Sequence, residues 1–67
     1  MCEANVYIVR ESGAEELLLE DVEILRPAEG GLYLKTIYGR QLTVPARIRE
    51  MNLVEHRVVL EEAPGTD

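Results

Sequence analysis

Four apolar residues in succession, Val6-Tyr7-Ile8-Val9, constrain this chain more than any other stretch. Side chains of a strand alternate between its two faces, so a strand built on this run carries apolar groups on both. One face meets the domain's own core. The other needs a further partner, and a subunit interface is the expected one, because the outer face of a small antiparallel barrel is ordinarily polar. The run follows directly on Met1-Cys2-Glu3-Ala4-Asn5, which puts the single cysteine at the rim of the core.

Turn residues divide the remainder into short runs. The first strand is expected over Ala4 to Arg10, followed by a turn at Glu11-Ser12-Gly13-Ala14. Glu15 to Glu20, with Leu17-Leu18-Leu19, returns as the second strand of a hairpin; Asp21 interrupts, and Val22 to Leu25 forms a third strand stopped by Pro27. After the Gly30-Gly31 turn, Leu32 to Tyr38 has the β-branched and aromatic content of a strand. Gly39-Arg40 is a tight turn, and Gln41 to Val44 alternates until Pro45 ends it. Ile48, Met51 and Leu53 recur at roughly helical spacing, so Ala46 to Asn52 is expected as a short 3₁₀ or α turn. Leu53 to Glu62 closes the domain, with Val54, His56, Val58 and Leu60 on one face and Glu55, Arg57 and Glu61 on the other. Residues 63–67 form a tail with nothing to bury, expected to be disordered. The pattern predicts an all-β chain, a small SH3-like β-barrel of five to seven short strands over residues 1–62, with the first strand or an edge free to pair with a second copy.

A chain of 67 residues buries only about 60% of its unfolded surface, so its core is thin. With one cysteine an internal disulfide is excluded, which leaves oligomerisation or a metal as reinforcement. Thirteen acidic against seven basic residues give a net charge of −6, which opposes binding to nucleic-acid phosphates. Neither a signal peptide nor an apolar stretch of the ~20 residues that span a bilayer is present, so a cytoplasmic protein with a reduced thiol and no membrane contact is expected. The chain has one Ser, one His and one Cys, and Ser12 and Cys2 lie in a turn and at a terminus; no catalytic arrangement with fixed geometry follows, and the chain is read as not an enzyme.

Chemistry concentrates at Met1-Cys2. The Cys2 thiolate, its backbone nitrogen and the Met1 amine can close fused chelate rings around one ion, and nitrogen–sulfur donation in a plane suits Ni(II) or Cu(II). One chain supplies few anchored ligands, whereas two related by a twofold axis supply two thiolates and two nitrogens. A cysteine at this position also fits as a small buried residue. His56, on the apolar face of the last strand, is read as a core or interface histidine rather than a ligand. Without a metal role, the chain would be an SH3-like protein–protein interaction module.

The Met1-Cys2 start running into a strand, Glu20-Asp21-Val22, Ile37-Tyr38-Gly39, Ile48-Arg49-Glu50-Met51-Asn52-Leu53 and His56-Arg57-Val58-Val59-Leu60 together resemble the CooT-like nickel-binding proteins, and the likeness runs to about Glu62. The resemblance implies an SH3-like barrel, a homodimer, and about one Ni(II) per dimer held by Cys2 of both subunits. It further implies nickel supply to carbon monoxide dehydrogenase as the client. The same family has carried a predicted RNA-binding label, which the charge opposes.

Overall fold

Alternation of apolar side chains builds the strands, and a sheet that buries one face must curl over it. In a computed structural model, which describes residues 3–63, β1 (Ala4–Val9) buries Val6 and Ile8 and leaves Tyr7 and Val9 half-buried on its other face. β2 (Glu15–Ala28) is one strand of 14 residues rather than two: it pairs with β1 through its first half and with β3 (Gly31–Thr36) through its second. Asp21 is the joint between the halves. It takes a left-handed φ of 57°, and here Glu20 and Asp21 together oppose the single residue Asn5, an inserted position that bends the strand.

β4 (Gln41–Val44), β5 (Ala46–Asn52) and β6 (Arg57–Glu62) complete a six-stranded sheet in the order β4-β3-β2-β1-β6-β5, curled into a half-barrel with no helix among the described residues. Two sequence expectations are corrected here. Ala46 to Asn52 is a strand, not a helical turn, and the last strand starts at Arg57 because Leu53 to His56 form a turn. Asn52 Oδ1 accepts the Glu55 N–H at 3.1 Å, and His56 closes the turn at a φ of 56°. A third correction concerns β1: it is central, hydrogen-bonded to β2 on one side and running parallel to β6 on the other, so its edges are not free. The free edges belong to β4 and β5.

The core lies inside the curl and is formed by Val6, Ile8, Leu19, Val22, Leu32, Leu34, Ala46, Val58 and Leu60. Thr36 is the one buried polar side chain among the described residues; its Oγ1 accepts the N–H groups of Tyr38 and Arg40 and so closes the turn into β4. On the outer face the Arg57 guanidinium stacks over Tyr7 at 4.5 Å and pairs with Glu15. The second apolar face of β1 is therefore partly covered from within the chain. Arg47 pairs with Glu61 and holds its carboxyl below the usual range; that small contribution is present at neutral pH and is lost as pH falls through the depressed value. Ala63 donates its N–H to Pro45 O at 2.9 Å, and the rest of the expected tail lies outside the described residues.

Candidate metal centre

The chain enters β1 through a clamp on Asn5. Its backbone N–H donates to the His56 carbonyl at 2.9 Å, and its side-chain Oδ1 accepts the Asp21 N–H at 3.3 Å. Asp21 and His56 are also the two non-glycine residues of positive φ among the described residues. Asp, Asn and His tolerate that conformation better than most side chains, yet it costs free energy that the surroundings must offset. Both strained residues thus hold the same point, three positions after Cys2. Asn5→Ala removes the acceptor for a part-buried N–H and is expected to cost about 1–2 kcal/mol in urea unfolding, while Asn5→Asp, which keeps an acceptor oxygen, recovers most of it.

Glu3 precedes the clamp. Its Oε1 is shut off from solvent without a hydrogen-bond partner, the one such side-chain atom among the described residues. A buried carboxylate oxygen with no donor is costly, so this atom calls for a cation or a donor beside it. It belongs to the residue bonded to Cys2. A carboxylate oxygen is a donor that, beside a thiolate and a backbone nitrogen, would fit a borderline first-row cation such as Ni(II).

The two donors expected from the sequence, Cys2 and Met1, lie outside the described residues. Among the described residues, no group of three or more His, Cys, Asp or Glu is placed to hold a metal ion. His56 is not a core residue: it is exposed in the β5–β6 turn, and only its backbone is brought to the N-terminal segment. Sequence reasoning missed Asn5 and Glu3. Asn5 carried a usable signal, since an Asn interrupting an apolar strand competes for neighbouring backbone groups; nothing in the sequence marks Glu3.

A family model described as CO dehydrogenase accessory protein CooT matches residues 1–61. The chain belongs to this family. The crystal structure of a CooT candidate from Carboxydothermus hydrogenoformans is similar to it with a TM-score of 0.85 and 43% identity, covering 94% of this chain and all of that one. An uncharacterised protein of Methanothermobacter thermautotrophicus is 33% identical over 61 residues, 91% of this chain and 89% of that protein. The expected family and the small curled all-β fold are both borne out. The family match takes in Met1, Cys2 and the Asn5 clamp.

Proposed function

We propose that this chain carries Ni(II) as cargo for the maturation of carbon monoxide dehydrogenase, binding it through the Cys2 thiolates of two copies. The observation that supports this best is that the match to the accessory family begins at residue 1 and so includes the one soft donor of the chain. A thiolate with the nitrogens of Met1 and Cys2 favours nickel over harder cations, and two copies complete a four-donor set. The unpartnered Glu3 Oε1 adds a negative oxygen at the same end of the chain.

The RNA-binding alternative is opposed by the arrangement of charge. Arg10, Lys35, Arg47 and Arg57, four of the seven basic residues, are held in ion pairs with Glu side chains, and Arg26 lies over the Tyr33 ring at 4.8 Å. Few cations are left to meet phosphate.

Because the thiol must lose its proton to bind, nickel affinity is expected to fall steadily as pH drops below the ordinary Cys pKa of about 8.5, with the strand signal in circular dichroism unchanged down to about pH 6. Competition with a chromophoric chelator across that range measures it. His56→Asn, which keeps a residue tolerant of positive φ, is expected to leave the affinity within about threefold of wild type, since the exposed His56 ring is not a ligand. A loss of nickel binding in His56→Asn with binding retained in Cys2→Ser would move the site to the β5–β6 turn.

A further inference from the structure

The chain has three tyrosines, and two of them are covered from within. The Arg57 guanidinium lies over Tyr7 and pairs with Glu15, and Arg26 lies over Tyr33. Tyr38 differs: it is 80% exposed, and among the described residues no cation stands over its ring. Its surroundings are nevertheless built. A pocket of about 260 Å³ lies between the inserted residues Glu20-Asp21 of β2 and the β3–β4 turn, with Leu19, Thr36, Tyr38 and Arg40 as its other walls. The turn is fixed at two points, because the Ile37 N–H donates to the Asp21 carbonyl at 2.9 Å and Thr36 Oγ1 accepts the N–H groups of Tyr38 and Arg40. Two of the stretches that carry the family resemblance, Glu20-Asp21-Val22 and Ile37-Tyr38-Gly39, thus meet at one pocket.

We infer that this pocket receives an arginine side chain of a partner protein, with the guanidinium laid on Tyr38 and paired with the Glu20 and Asp21 carboxylates. The chain builds that arrangement once for itself, with Arg57 between Tyr7 and Glu15; at Tyr38 it supplies the ring and the acids but not the cation. Neither Glu20 nor Asp21 has an ion-pair partner among the described residues, so both carboxylates are open to one. A planar guanidinium stacks on an aromatic face and donates to carboxylates at the same time, which the compact ammonium of a lysine does less well. The net charge of −6 draws a basic segment towards the chain. Arg40 is the one cation of the pocket; it neither pairs with these acids nor covers Tyr38, and as a like charge it opposes the incoming guanidinium. Recognition here involves neither Cys2 nor nickel, so it stands or falls apart from the nickel-carrier reading.

The test titrates a short blocked peptide, acetyl-Gly-Arg-Gly amide, into the full metal-free chain at low salt and follows backbone amide shifts by NMR. Saturable shifts are expected at Glu20, Asp21, Tyr38 and Gly39, with a dissociation constant of about 1–10 mM, the strength of one stacked and paired guanidinium. The same peptide with citrulline for arginine keeps the shape without the charge and should leave these amides unmoved; with lysine it should bind about threefold more weakly or worse. Tyr38→Leu and Asp21→Asn are each expected to weaken binding about threefold or more, and Asn tolerates the left-handed φ of 57° that Asp21 adopts. Amide spectra establish that each variant is folded, and Glu20→Gln, at an exposed position, stands in should Asp21→Asn not be. Arg40→Ala should strengthen binding by removing a like charge. No saturable shift with the arginine peptide, equal binding of the citrulline peptide, or unchanged binding in Tyr38→Leu overturns the site. Loss of binding in Arg40→Ala would overturn it too, by making the pocket a receptor for an anion.

Discussion

Cys2→Ser is expected to abolish Ni(II) binding, lowering affinity by about a thousandfold or more. An alcohol at neutral pH stays protonated and neutral where the thiol yields a soft anion, and a twofold site loses both thiolates through one substitution. Near-ultraviolet absorption decides it: wild type under reducing conditions should develop thiolate-to-nickel charge-transfer bands, and the variant should stay flat. The variant is expected to remain folded, which circular dichroism checks. A variant that binds nickel normally would leave the cysteine an ordinary small residue and return the chain to an interaction module.

The second large effect concerns folding. Gly31→Ala is expected to leave the chain largely unfolded, since a Cβ at this position would lie 1.9 Å from the Val44 carbonyl oxygen and 2.9 Å from Pro45 Cα. Both obstacles are backbone, at the place where β3 begins beside β4, so relief requires pulling those strands apart. A domain of this size has only about 3–10 kcal/mol of stability to lose. The neighbouring Gly30 has a φ of 83° but open space around it, so Gly30→Ala should cost only about 1–2 kcal/mol of conformational strain. Leu60→Ala, at a fully buried position, should fall between the two at about 2–5 kcal/mol. Urea titrations of the three variants, followed by circular dichroism, rank them.

Those glycines show how far the sequence could be read. Gly30-Gly31 announced a turn, but which glycine was indispensable depended on a strand more than ten residues away. The helical spacing of Ile48 and Met51 misled for a related reason. The β5–β6 register shifts between Ile48 and Glu50, so residues three apart fall opposite Leu60 and Val58 and share the inner face of a strand. Leu19 and Val22 do the same across the Asp21 joint, which is why one bent strand read as two. Alternation through Val54 and His56 continued past the real start of β6, because an apolar turn that projects from the sheet leaves no mark in periodicity. What was legible was local: strand chemistry, turn residues, and the soft donor at Cys2. The clamp on Asn5 and the pocket beside Tyr38 are products of long-range pairing, which no window of sequence contains.

Nickel stoichiometry of the metal-free wild type tests the central claim most directly. Ni(II) is added stepwise to reduced protein of known concentration, with charge-transfer absorption and sedimentation followed together. The account predicts a dimer throughout and a break at one ion per two chains. A break at one ion per chain, or no absorption change at all, would contradict it.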